Sequence, residues 1–86
     1  MNKYAEALHL VREKEPLVQC ITNFVTVNDG ANIILAAGGS PSMAHDVREA
    51  AEAARNARAL VCNMGAIEDA QSMILAGREM NQLGRP

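Results

Sequence analysis

The chain is poor in aromatic residues: Tyr4 and Phe24 are its only two, and tryptophan is absent. Any core must then be built from Ala, Val, Ile, Leu and Met, a small-aliphatic mix suited to helices packed closely on a parallel sheet. There is no basic stripe. A net charge of −2 comes from acidic and basic residues mixed along the chain, so the footprint of a nucleic-acid partner is missing. The longest apolar run, Ile33 to Ala37, falls far short of the ~20 residues needed to span a membrane, so no membrane partner is expected. The N-terminus reads Met-Asn-Lys-Tyr-Ala-Glu, without the apolar region of a signal peptide. With no secretory signal, and with Cys20 and Cys62 in no metal-ligand spacing, a reducing, cytoplasmic compartment is expected. Neither a Walker lysine motif nor G-x-G-x-x-G occurs. At 86 residues the chain has room for one small domain or part of a larger one. A chain of that size buries only about 60–65% of the surface its unfolded form exposes.

What is present alternates in period. Residues 2–14 carry Tyr4, Leu8 and Val11 at helical spacing, and Pro16 ends that helix. Leu17 to Thr22 reads as a strand. Thr26 with Asp29 resembles a capping box, and the helix that follows stops at Gly38-Gly39. Asn28-Asp29-Gly30 could instead turn a hairpin, but Ala31–Ala37 lacks strand alternation. Pro41 to Ala44 is a short second strand. Asp46 and Glu49 look like another cap, before a helix whose apolar face is Val47, Ala50, Ala51 and Ala54. Ala59 to Asn63 is a third strand. A last helix, about Glu68 to Leu83, turns Ala70, Met73, Ile74, Gly77 and Met80 inward and stops at Gly84. The order α-β-α-β-α-β-α implies right-handed βαβ crossovers and a parallel sheet, an α/β fold. A glycine stop followed by Arg85-Pro86 leads towards a further strand, so the sheet is expected to be incomplete.

In an open parallel sheet, ligands bind beyond the carboxyl ends of the strands. Three segments reach that edge: Thr22-Asn23-Phe24-Val25, Met43-Ala44-His45-Asp46 and Asn63-Met64-Gly65. Their amides could orient a small polar-apolar molecule, with Met43 and Val25 as its apolar wall. Equally, Asn23 and Asn63 could only satisfy loop backbone, and Asp46 could only cap a helix. Gly38-Gly39 lies at the opposite, amino edge and reads as a helix stop, not a phosphate cradle. Cys20 and Cys62 read as small hydrophobes in strands, with neither a metal partner nor an activating base beside them. His45 alone among the histidines falls near the presumed site, as a participant or a bystander.

The run from Leu17 to Asn32 (L-V-Q-C-I-T-N-F-V-T-V-N-D-G-A-N) resembles the hydroxyethylthiazole kinase family. So do Gly39-Ser40-Pro41-Ser42-Met43-Ala44, Ala59 to Gly65, Ala76-Gly77, Asn81 and Gly84-Arg85-Pro86, in order and with family-like spacing. The resemblance implies a ribokinase-like α/β fold, with residues 1–86 as the N-terminal portion of a single kinase domain. It implies transfer of the γ-phosphate of ATP to the hydroxyl of 4-methyl-5-(2-hydroxyethyl)thiazole, a step of thiamine salvage, with Mg2+ assisting and a homotrimer holding the thiazole between subunits. Carried over residue by residue, Asn23 and Val25 would help line the thiazole pocket, Met43 would contact the substrate, and Asn63 and Gly65 would border it.

Three positions depart from the family pattern: Gln19 where histidine is common, His45, and Ala66 where a hydroxyl residue is usual. The family's nucleotide-binding segment, anion hole and catalytic cysteine would fall beyond Pro86, so neither Cys20 nor Cys62 is that cysteine. No catalytic, cofactor or metal residue is assigned within the 86, and the piece alone is expected to be inactive. The alternative is a stand-alone, non-enzymatic α/β module that binds a small heterocycle or associates with itself. A receiver- or flavodoxin-like domain fits less well, since no acidic cluster follows the first strand.

Overall fold

A computed structural model describes residues 2–86, apart from the side chain of Ile67. Its elements are α1 (Lys3–Lys14), β1 (Leu17–Ile21), α2 (Val27–Ala37), β2 (Ser40–Ser42), α3 (Ala50–Asn56), β3 (Ala59–Cys62), a 3-10 turn (Ile67–Asp69) and α4 (Ala70–Leu83). The three strands form one sheet in the order β2-β1-β3, with both pairings parallel. Val18 lies opposite Pro41 on one side and Ala59 on the other. The two crossovers leave the sheet order in opposite directions, so right-handed connections put α2 and α3 on opposite faces. In agreement, α1 packs with α2 and α3 packs with α4.

The two faces are filled differently. On the α3/α4 face the core joins Ile21, Ala50, Ala54, Ala66, Met73, Ala76 and Met80, with Leu60 and Cys62 packed against it. Ala50, Ala54 and Ala76 are wholly buried, and their small side chains let α3 and α4 approach closely. Cys20, of opposite parity along β1, faces α2 instead: it lies 3.7 Å from where a Cβ on Gly30 would stand. Yet α2 itself buries no residue fully, and Ile33 and Leu35 are 68% and 57% exposed.

Gln19 is the one fully buried polar side chain of β1. Its Nε2 donates to the carbonyls of Ala44 (2.9 Å) and Ala50 (3.4 Å), tying the central strand to the β2–α3 connection. Its Oε1 has no partner among the described residues.

The helix ends follow the sequence closely. Asn2 Oδ1 accepts from the Ala5 amide at 2.9 Å and caps α1, while Glu15 (φ 49°) turns the chain towards Pro16. Gly38 (φ 105°) and Gly84 (φ 67°) take the left-handed conformation that closes α2 and α4. Arg85 Nη1 donates to the carbonyls of Arg55 (3.0 Å) and Ala57 (2.9 Å), satisfying the end of α3. The Leu60 amide donates to the Pro86 carbonyl at 2.9 Å, on the side of β3 away from β1.

Three local expectations need correction. Thr26 makes no capping-box bond with its side chain, because its hydroxyl is engaged with Asn23 and Thr22 instead. Asp46 caps the turn before α3, accepting from the Arg48 amide at 2.8 Å, and α3 starts only at Ala50. This leaves Val47 48% exposed. In α4 the buried residues are Ser72, Met73, Ala76 and Met80, while Ala70 is exposed and Ile74 is 47% exposed. Helix α4 begins only at Ala70, after the 3-10 turn, and it packs on the core through Met73, Ala76 and Met80 rather than through Ile74 and Gly77. Ala66, at the start of that turn, is buried in the core.

Candidate functional site

All five residues singled out from the sequence lie at or just past the carboxyl ends of the strands. Chain reversal after β1 is built on Asn23. Its Oδ1 accepts from the amides of Val25 and Thr26 and from Thr26 Oγ1, each at 3.0 Å. After β3, Asn63 does the same for its own turn, with Oδ1 accepting from the Gly65 amide at 2.9 Å. Its other end reaches back across the sheet: Asn63 Nδ2 donates to Thr22 Oγ1 at 2.9 Å. A 2.6 Å bond between the Thr22 and Thr26 hydroxyls completes one polar network across the ends of β1 and β3.

Gly65 closes this group. A Cβ there would stand 3.2 Å from Asn63 Oδ1 and 3.7 Å from Asn23 Nδ2, so Asn23, Asn63 and Gly65 form one cluster. Met43 sits apart, beyond β2, with its methyl 3.5 Å from where a Cβ on Gly30 would be. It reaches the same floor as Cys20 and Thr22, which lie 3.7 and 3.9 Å from that point. Val25 and Phe24 stand in the open, 87% and 82% exposed. The Phe24 ring meets His45 edge-on at 6.2 Å, and His45 Nδ1 lies 3.5 Å from Asp69 Oδ1. His45 thus joins the loop after β1 to the start of α4.

Below the polar network lies a cleft of about 510 Å³ between α2 and the β1–β3 pair. Its walls are Cys20, Gly30, Ile33, Ile34 and Val61, and its rim carries Thr22, Thr26, Asp29 and Asn63. Of the five sequence candidates only Asn63 lines it. Thr22, Thr26 and Asp29 were not singled out. Their signal was the hydroxyl and carboxylate spacing in Thr22-Asn23-Phe24-Val25-Thr26 and onward to Asp29, which read as strand end and helix cap. Burial raises the Cys20 thiol above its ordinary pKa. Burial does the same for Cys62, with a smaller push from Cys20. Both are therefore held as neutral thiols, in keeping with a packing role.

A model of the hydroxyethylthiazole kinase family matches residues 8–86. The chain belongs to that family. It is 49% identical, over its whole length, to a hydroxyethylthiazole kinase of Desulfovibrio desulfuricans, and covers 31% of that protein. A hydroxyethylthiazole kinase of Methanobrevibacter smithii is 44% identical over the whole chain, again with 31% of the relative covered. The solved structure of a hydroxyethylthiazole kinase protein from Pyrococcus horikoshii superposes with a TM-score of 0.86 at 48% identity, over 94% of this chain and 33% of that one. The chain thus spans about a third of the length of these hydroxyethylthiazole kinases.

The site must therefore be judged for ATP and magnesium as well. No group of three or more His, Cys, Asp or Glu that could hold a metal occurs among the described residues. The polar network is made of neutral amides and hydroxyls, and the one charge on the cleft rim, Asp29, is negative. Such a set does not fit a triphosphate or its metal. The residues at hand suit a neutral, partly apolar molecule. Nor is any helix among the described residues long and apolar enough to cross a membrane.

Proposed function

We propose that these 86 residues form the N-terminal, substrate-side portion of a hydroxyethylthiazole kinase. The complete enzyme transfers the γ-phosphate of ATP, with Mg2+, to the hydroxyl of 4-methyl-5-(2-hydroxyethyl)thiazole, as a cytoplasmic homotrimer. The family match over residues 8–86 carries this reading. It is supported by the gathering of Asn23, Asn63 and Gly65 into one cluster at the sheet edge where open α/β sheets place their ligands. In this role Asn23 and Asn63 hold two loops in fixed shape and present the remaining amide hydrogens, Gly65 lets the backbone approach, and Met43 and Val25 supply apolar contact. The binding of ATP and the chemistry of transfer belong to the rest of the enzyme, and no step of either is assigned to Cys20, Cys62 or any other residue of this chain.

The test has two arms. Amide resonances of Asn23, Met43, Asn63 and Gly65 should shift on adding the thiazole alcohol to the 86-residue chain, and ATP turnover should stay at background. Turnover by the chain itself would refute the division of labour. Shifts confined to residues far from the carboxyl edge would refute the site.

One observation favours a second reading, a self-associating module: the exposed Ile33 and Leu35 on α2. Sedimentation separates the two, since a stable oligomer built on α2 that ignores the thiazole would support the module.

A further inference from the structure

Gln19 is a costly residue where it stands. It is fully buried on the central strand, and its Oε1 has no partner among the described residues. A buried acceptor left unpaired costs about as much as one or two neutral hydrogen bonds contribute, so an apolar side chain would fill this place as well. What the amide adds is direction. Nε2 donates at 2.9 Å to the carbonyl of Ala44, the residue between Met43 and His45, and at 3.4 Å to that of Ala50, where α3 begins.

Residues 43–49, which join β2 to α3, have few other holds. The amides of Arg48 and Glu49 bond to Asp46 within the connection itself, and the bonds from the Ala50 amide to Asp46 and from the Ala53 amide to Glu49 lead into α3. His45 adds a 3.5 Å contact with Asp69. Among the described residues, the bond to the Ala44 carbonyl is thus the one hydrogen bond that fastens this connection to the sheet. Successive residues of a strand point to opposite faces. Gln19 grips the connection from the α3 side. Cys20, the next residue, lies on the α2 side with the Met43 methyl, 3.7 and 3.5 Å from the Cβ position on Gly30.

We infer that Gln19 is a positioning residue: its buried amide fixes the Ala44 carbonyl and so holds Met43, one residue earlier, over the floor of Gly30, Cys20 and Thr22. Gln19 is fully buried and meets no ligand itself; it acts through the backbone. The consequence for binding rests on the reading of Met43 as a substrate contact. Without the amide the connection keeps its local turn at Asp46 but loses its fixed height over the sheet, and binding would then have to order Met43 as well.

The experiment compares the 86-residue chain with Gln19→Leu, which has no donor, and Gln19→His, whose neutral ring carries one at similar reach. Methyl relaxation of labelled methionines reports the order of Met43 and, as internal controls, of Met73 and Met80 in the α3/α4 core. A nuclear Overhauser effect between the Met43 methyl and Gly30 reports the contact itself. In Gln19→Leu that effect should fall by about half or more while Met73 and Met80 stay ordered, and Gln19→His should restore it. Affinity for 4-methyl-5-(2-hydroxyethyl)thiazole, read from the Asn23 and Asn63 amide shifts, should weaken about fivefold in Gln19→Leu and recover in Gln19→His, the worth of one neutral hydrogen bond. Four results would each overturn the inference by assigning Gln19 to the fold alone. These are an unchanged Met43 contact in the leucine variant, a loss of order shared by Met73 and Met80, a leucine variant that does not fold, or no recovery with histidine. If the Met43 contact follows residue 19 but the thiazole binds none of the three chains, the positioning stands and the thiazole reading falls. If the thiazole binds all three alike, that reading stands and the inference is overturned.

Discussion

Gln19 offers the sharpest test of how the fold is held around the site. Its side chain is fully buried, with Nε2 bound to the carbonyls of Ala44 in the β2–α3 connection and of Ala50 at the start of α3, and Oε1 unpartnered among the described residues. Gln19→Leu removes one good donation and one long one, a loss of about 1–2 kcal/mol. It also removes the stranded oxygen, whose burial costs about 1–3 kcal/mol. The two offset each other, so the leucine variant should unfold within about 1 kcal/mol of the parent. Gln19→Glu keeps the shape but replaces the donor with a second acceptor aimed at the Ala44 and Ala50 carbonyls. It should cost about 3 kcal/mol or more. Urea unfolding followed by far-UV circular dichroism reads the difference, provided the denaturant slope is unchanged. A leucine variant as damaged as the glutamate variant would refute the view that Oε1 is a liability and the Nε2 bonds are modest.

Other substitutions probe other parts of the structure. Gly38→Ala would put a Cβ 2.7 Å from Arg12 Cγ and 2.9 Å from its Cα at φ 105°, so thermal unfolding should show a loss of about 1–3 kcal/mol. Met80→Ala, at a site 2% exposed, should cost about 2–5 kcal/mol, whereas Met64→Ala, 81% exposed, should change stability by about 0.5 kcal/mol or less. The Asp46 carboxyl is held well below the usual carboxylate range, first by its side-chain bonds to Arg48 and then by the Arg48 amide. A depressed folded pKa means that this interaction contributes above the unfolded carboxyl pKa of about 3.9 and is lost as pH falls through the folded value. In Arg48→Ala the Asp46 carboxyl, followed by NMR, should titrate at higher pH. The effect on stability should be small and weakened by salt, because the pair is exposed.

Much of the architecture could be read from period and punctuation. Pro16, Gly38 and Gly84 each end a helix, and the α-β alternation leaves a parallel sheet as the natural outcome. The errors have a common source in side chains that serve more than one backbone arrangement. Thr26 carries the signature of a capping residue, yet a hydroxyl that can also reach Asn23 and Thr22 is claimed by the tertiary network. In α4, Ala76 and Gly77 are both small, so the sequence pattern cannot choose which faces α3. Packing settles it, with Ala76 buried in the core beside Ala50 and Ala54. Past the strand ends, Asn23 and Asn63 could be read either as pocket residues or as partners of loop backbone, and their Oδ1 atoms do accept loop amides. The cleft was not legible, since Cys20, Ile33, Ile34 and Val61 read as ordinary core until the structure shows a gap between α2 and β3.

The account is tested most directly by a chimera in which these 86 residues replace the corresponding third of the Desulfovibrio desulfuricans hydroxyethylthiazole kinase. Thiazole-dependent ADP formation should be recovered in the chimera. In its Met43→Lys variant the KM for the thiazole should rise at least about tenfold, with the KM for ATP little changed. A folded chimera that binds ATP but shows no thiazole-dependent turnover, or one indifferent to Met43→Lys, would contradict the claim that this chain carries the substrate side of the enzyme.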